Sequence, residues 1–251
     1  MISPYANQPK ENWKNITQRL VNEYPISTQE ILEIATLAWN NIWNTSIGGH
    51  ISINEVGLTA SNIGNFFQQL YIHELVLRHP NQWREQSNKS DKDIVYISNN
   101  YFSTEMKTSG QAGYYLYGNR STSQEVSQRA TSGKDKSGYY ITLNFHGQAM
   151  TRLRIGWIDE NDWLGQSSQT GQSATLSSEV YEHKLIDISG SYIRHSPIIL
   201  LDNVGSVAAS KLNQIGIYTF NDLALYQGNE FDKHKATLER FYRTHGLAYP
   251  C

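Results

Sequence analysis

A chain of 251 residues is long enough to bury a sizeable core as one large domain, or as one domain with a small appendage. Its longest uninterrupted aliphatic run, residues 198–201, is far short of the ~20 residues that span a bilayer, and the N-terminus carries no basic, apolar export signal, so a cytoplasmic location is expected. The one cysteine, Cys251, excludes a disulfide framework and a cysteine-ligated zinc site, and its terminal position argues against a thiol nucleophile. Any metal must therefore use oxygen or histidine ligands. With 21 basic against 23 acidic residues the net charge of −2 gives no whole-chain signature of nucleic-acid binding. Residues 101–154 differ, holding seven Lys/Arg against three acids. Such a local excess suits an enzyme whose acidic metal ligands offset the cations that neutralise phosphates.

The first third of the chain reads as helical. Residues 27–44 alternate apolar and polar side chains at helical spacing, with Ser27 or Thr28 as cap and Glu30 near the start. A second helix is predicted over 63–77, where Ile63, Phe67, Leu70, Glu74 and Leu77 fall on one face, which places Glu74 in an apolar stripe. Pro80 ends it. After a polar loop over 86–92, the period changes to two. Strands are predicted from Asp93 and over 101–107, joined by a two-residue turn at Asn99-Asn100, then over 139–145 and 152–158. Residues 131–138 and 165–178 read as surface loops, and no internal repeat is evident.

Metal-assisted hydrolysis of a phosphodiester needs hard oxygen ligands converging on one point and a cation that positions or acidifies the attacking water. Glu105-Met106-Lys107 supplies a carboxylate and an ammonium on the same face of one strand, because residues i and i+2 project together. Asp93, at the start of the preceding strand, brings a second carboxylate beside Glu105. Glu74 is an auxiliary candidate, as a further metal ligand or a partner of Lys107. With 23 acids and 11 lysines, about one acid-x-Lys triplet is expected by chance. The chain does contain a rival, Glu182-His183-Lys184 with Asp162 upstream, set in a polar loop context instead of paired strands.

The run Asp93-Ile-Val-Tyr followed by Glu105-Met-Lys107-Thr-Ser-Gly resembles the PD-(D/E)xK nuclease core, with Lys92 where the motif has proline. The segments at 117–121, 136–145, 155–163 and 170–176 are similar to those of ScaI-like type II restriction endonucleases. The resemblance covers roughly residues 74–176. It implies an α/β restriction-endonuclease-like fold with a mixed central sheet flanked by helices, site-specific cleavage of double-stranded DNA leaving 5′-phosphate ends, and Mg²⁺ as cofactor. Asp93 and Glu105 would then be the metal ligands and Lys107 the catalytic cation. The family also implies a homodimer, whose contact is expected in the helical N-terminal region. Base-reading candidates are Asn119, Arg120 and Gln124, just beyond the catalytic strand. The loop bearing Gln166, Gln169 and Gln172 competes for that role.

A second nucleic-acid signal lies in residues 198–219, whose layout is that of a helix-hairpin-helix motif. A tight turn at Gly205 exposes backbone N–H groups at the start of a helix beginning with Ser206, and such groups bind phosphate oxygens. Lys211 can add a contact, and Asn203 stands where the motif has its first glycine, which asparagine tolerates because it enters the left-handed region. Gly216 ends the helix, and Thr219 with Asp222 forms a capping box for the next. The expected division is thus a nuclease domain over 1–190 and a DNA-binding segment over 191–251. The eight histidines show no zinc-ligand spacing, and no Gly-rich nucleotide loop is present, so no nucleotide cofactor is expected. The competing readings are a structure-specific repair nuclease and a non-catalytic DNA-binding protein using the C-terminal motif.

Overall fold

Local chemistry sets the N-terminal helices. In the computed structural model, which describes residues 2–119, 135–165 and 173–250, α1 (Trp13–Glu23) buries Ile16, Leu20 and Val21 along one face. Helix α2 (Thr28–Trp43) starts where the sequence places it, with the Ser27 hydroxyl accepting the Glu30 N–H at 3.1 Å. A small hairpin of β1 (Ser46–Ile47) and β2 (Ile51–Ser52) leads to α3 (Ala60–Arg78), capped by Thr59. The buried face of α3 holds Ile63, Phe67, Tyr71 and Leu75, whereas Leu77 is 63% exposed. The predicted helix is present, but its apolar stripe is rotated away from Leu77 and Glu74.

Six strands then form one mixed sheet: β3 (Trp83–Glu85), β4 (Ile94–Tyr96), β5 (Thr104–Ser109), β7 (Gly138–His146), β8 (Ala149–Ile158) and β11 (Leu185–Asp187). A separate three-stranded sheet is built from β6 (Gly118–Asn119), β9 (Trp163–Gly165) and β10 (Ser173–Leu176), and α4 (Ser178–His183) precedes β11. The large sheet runs β11-β8-β7-β5-β4-β3, with β5 and β7 parallel and every other pair antiparallel. This is the expected α/β arrangement of a mixed sheet flanked by helices. Two local expectations change. The β4–β5 connection is no two-residue turn, because Asn99 instead caps a short 3₁₀ helix (Asn100–Phe102), its side chain accepting the Tyr101 N–H at 3.0 Å. Part of the predicted loop 165–178 is strand β10.

Alternation along the strands gives the sheet two unlike faces. Met106, Tyr139, Ile141, Leu143, Leu153 and Trp157 join the main core with α1, α2 and α3. Tyr140 and Ile158 face the other way, into a smaller cluster with Leu116, Trp163, Leu176 and Val180 beneath the second sheet and α4. The C-terminal helices α5 (Ser206–Gln214), α6 (Phe220–Leu225) and α7 (Asp232–Thr244) bury Leu212, Phe220, Leu223, Leu238 and Tyr242 in the main core, continuous with the rest. Among the described residues no helix is long and apolar enough to cross a membrane.

Candidate active site

Strand β5 lies inside the sheet, and its side chains divide as the period of two requires. Thr104, Met106 and Thr108 point to the helical face: the Thr104 hydroxyl bonds Tyr24 at 2.7 Å, and Thr108 lies so close to α3 that a Cβ on Gly64 would sit 2.1 Å from its Oγ1. Glu105 and Lys107 therefore share the opposite face, Glu105 buried at 3% exposure and Lys107 half-buried. The register pairs Ile94 with Thr104, so Asp93 comes one step further, alongside Glu105. The Asp93 carboxylate accepts the Met106 N–H at 2.8 Å and so takes the place of a strand neighbour on β5. Tyr140 pairs with Glu105 in the register and reports on both acids. Burial first, then the charges of Glu105 and Asp93, push its phenol well above the usual range.

Lys107 makes no ion pair among the described residues. It lines a cleft of about 550 Å³ together with Ser61, Asn65 and Gln68 from the first turns of α3 and with Tyr117. Glu74 is not brought to this group. It lies on the helix packed against the other face of the sheet, where Arg78 Nε donates to it at 2.9 Å. Among the described residues no three acids, histidines or cysteines converge on one point. The donor set is thus a pair of carboxylates from adjacent strands. That set fits a hard divalent cation that takes one or two carboxylates and completes its shell with water and phosphate oxygens.

The rival triplet is closed off. Glu182 lies in α4 and not on a strand, and Lys184 is 2% exposed with its ammonium 2.8 Å from both Asp159 and Asp162. The same ammonium sits over the rings of Tyr5 and Trp13, at 4.4 and 4.6 Å. It is a buried ion cluster that seats the N-terminal segment.

Comparison with known proteins places the chain in a family. Residues 3–189 match the family model described as ScaI restriction endonuclease. The chain is also 33% identical over 195 residues to the type II restriction enzyme ScaI of Streptomyces caespitosus, covering 74% of this chain and 84% of that one. The chain belongs to the ScaI restriction endonuclease family. It is accordingly a type II site-specific deoxyribonuclease, an enzyme class that acts on double-stranded DNA.

The ScaI family match contains Asp93, Glu105 and Lys107 and ends at residue 189, just before the C-terminal segment. That segment has the local geometry its sequence implies. Asn203 adopts the left-handed conformation at φ 66°, Gly205 is the N-cap of α5, and Thr219 and Asp222 form the capping box of α6. Gly205, Ser206 and Lys211 are exposed. Where the expected helix-hairpin-helix motif would have its first helix, the chain has only a 3₁₀ turn, Ile198–Leu200. Of the base-reading candidates, Asn119 ends β6, whose backbone pairs with β10, while Arg120 and Gln124 lie outside the described residues, as do Gln166, Gln169 and Gln172.

Sequence reasoning missed two groups at this site. Lys92, buried beside Asp93, donates to the carbonyls of Ser137 at 2.8 Å and Asp135 at 3.2 Å, and Gly138 leaves room for it, since a Cβ there would lie 2.8 Å from the ammonium. Arg154 and Asn144 lie on the Glu105 face of β8 and β7, one strand or two from Lys107. Arg154 Nη2 donates to Asn144 Oδ1 at 2.6 Å, and its Nη1 is buried without a hydrogen-bond partner among the described residues. Burial and the neighbouring Arg152 lower its pKa to about 10. The one legible signal was Lys92, a cation at the motif's proline position.

Proposed function

We propose that this endonuclease is a Mg²⁺-dependent PD-(D/E)xK enzyme in which Asp93 and Glu105 hold the metal at the scissile phosphate and Lys107 orients or acidifies the attacking water. The observation that carries this reading is the placement of Asp93 beside Glu105, on the same sheet face as Lys107, through the Met106 N–H bond at 2.8 Å. Bound there, Mg²⁺ supplies Lewis acidity at a phosphoryl oxygen and lowers the pKa of a water. The protein's part is positional. Burial restricts the Glu105 side chain, Asp93 is anchored to the backbone of β5, and Lys107 lines the cleft that would take the DNA strand. In-line attack of water on phosphorus breaks the P–O3′ bond and leaves 5′-phosphate and 3′-hydroxyl ends.

The segment 191–251 acts as a phosphate clamp, with the N–H groups at the start of α5 and Lys211 holding the flanking backbone. Arg120, Gln124 and Asn119 follow the catalytic strand and are the proposed base readers, Arg suiting guanine and Asn or Gln adenine. A homodimer matches the twofold symmetry of a palindromic duplex.

The decisive assay is plasmid cleavage in Mg²⁺. Glu105→Gln should slow cutting by roughly 10²-fold or more while keeping DNA binding in Ca²⁺, and EDTA should stop the wild type. Glu182→Ala, altering a side chain that is 71% exposed, should cut normally. The reverse result would move the active site to the second triplet. Retardation of DNA without cleavage by the wild type would favour a binding protein.

A further inference from the structure

The segment 111–117, which leaves the catalytic strand, is held in an unusual way. Asn144 Nδ2 donates to the carbonyls of Gln111 at 3.1 Å and Tyr115 at 2.9 Å, and Arg154 Nη2 donates to the carbonyl of Tyr114 at 3.0 Å. The two side chains are themselves joined at 2.6 Å, and Arg154 Nε reaches Thr142 at 3.2 Å. Asn144 is fully buried and Arg154 is 2% exposed. Among the described residues Arg154 has no carboxylate partner. Burying a guanidinium without a counter-ion is expensive, and an apolar pair of similar volume would pack a sheet at least as well. What the polar pair does that an apolar pair cannot is grip main-chain carbonyls.

The segment so held separates two clefts. Gln111 and Tyr117 line the cleft that contains Lys107. Ala112, Gly113 and Tyr114 line a second cleft of about 470 Å³ together with Arg152 and with Asp202 and Asn203 of the C-terminal segment. Its outer surface is aromatic: Tyr114 and Tyr115 stack at 4.4 Å, and Tyr115 and Tyr117 are 47% and 43% exposed.

The geometry points to residues 111–117 as a DNA-contacting ridge, with Asn144 and Arg154 as positioning residues that set it against the duplex between the scissile phosphate and the C-terminal clamp. This rests on Asp93, Glu105 and Lys107 being the catalytic group. The two side chains act through the ridge and touch neither the reacting phosphate nor the metal.

Asn144→Asp separates positioning from stability. It keeps an oxygen toward Arg154, now as a carboxylate that gives the guanidinium a counter-ion, and it removes both donors to the ridge carbonyls. The melting temperature should change little, the new ion pair with Arg154 offsetting the two lost hydrogen bonds, while cleavage of the cognate duplex falls roughly ten- to a hundredfold in kcat. Discrimination against sites altered by one base pair should also fall, and chymotrypsin should cut faster after Tyr114, Tyr115 and Tyr117. Wild-type kcat and discrimination in this variant would overturn the inference, whether or not the ridge became easier to digest. Should Asn144→Asp not fold, Arg154→Lys is read in the same assays with the same outcomes. If Glu105→Gln is inactive while Asn144→Asp matches wild type, only the ridge assignment fails. If Glu105→Gln cuts normally, the catalytic reading fails first.

Discussion

Lys184 shows how a single side chain can mimic catalytic chemistry in sequence and do structural work in the fold. Its ammonium is shared by Asp159 and Asp162 at 2.8 Å, and burial holds the Asp162 carboxyl above its usual range even so. Lys184→Met would strand two partly buried carboxylates and should destabilise the protein by about 3–5 kcal/mol, read as a shift in the urea midpoint. The pH dependence has a definite sign. A carboxyl whose folded pKa lies above its unfolded value near 3.8 binds a proton more readily in the fold, so acidification favours the folded state. The deficit of the variant should therefore be largest at neutral pH and shrink as pH falls toward the raised pKa. A loss that did not change with pH would assign the cost to lost contacts with Tyr5 and Trp13 instead.

At the scale of elements, what was legible was local. The Ser27 cap and the Thr219–Asp222 box follow from hydrogen bonds within a few residues, the left-handed Asn203 from asparagine's own tolerance of positive φ, and each is present. The Asn99-Asn100 pair carries the chemistry of a tight turn equally well as that of a 3₁₀ cap, and only the long connection decides between them. Strands β6 and β9 are two and three residues long, too short to display a period of two, while β10 alternates over only four residues inside a stretch rich in Gln, Ser, Thr and Gly that reads as loop. Helix α3 has the predicted period, yet the close approach of Gly64 to Thr108 fixes which face packs, and this leaves Glu74 outside the packed face, paired with Arg78 one turn along the same helix. A buried Arg154 could not be distinguished from an exposed one, since an arginine in an alternating strand reads as surface. The C-terminal element offers its own test. Lys211→Ala should weaken binding to every DNA sequence and reduce the slope of log K against log salt by about one, leaving the cut site unchanged. An altered cut site would make Lys211 a base reader, and an unchanged slope would remove it from the interface.

For the whole molecule, the question is how one chain meets two strands. The N-terminal region leaves Leu37, Ile47, Ile51, Val56 and Phe66 each at least 38% exposed, and the proposed homodimer would use this apolar area. The expected species in sedimentation is a dimer, and Ile51→Glu with Phe66→Glu should shift it toward monomer and convert double-strand cutting into nicking. A monomeric mass on DNA, with the two strands cut in sequence by the wild type, would instead mean one active site that reorients. The capture of Gln111, Tyr114 and Tyr115 by their carbonyls bears on how such an enzyme could change over generations. A grip on main chain is blind to side-chain identity. The residues presented along that stretch can be exchanged one at a time while its path beside β5 is inherited intact, so new contacts can be sampled without first losing the old shape.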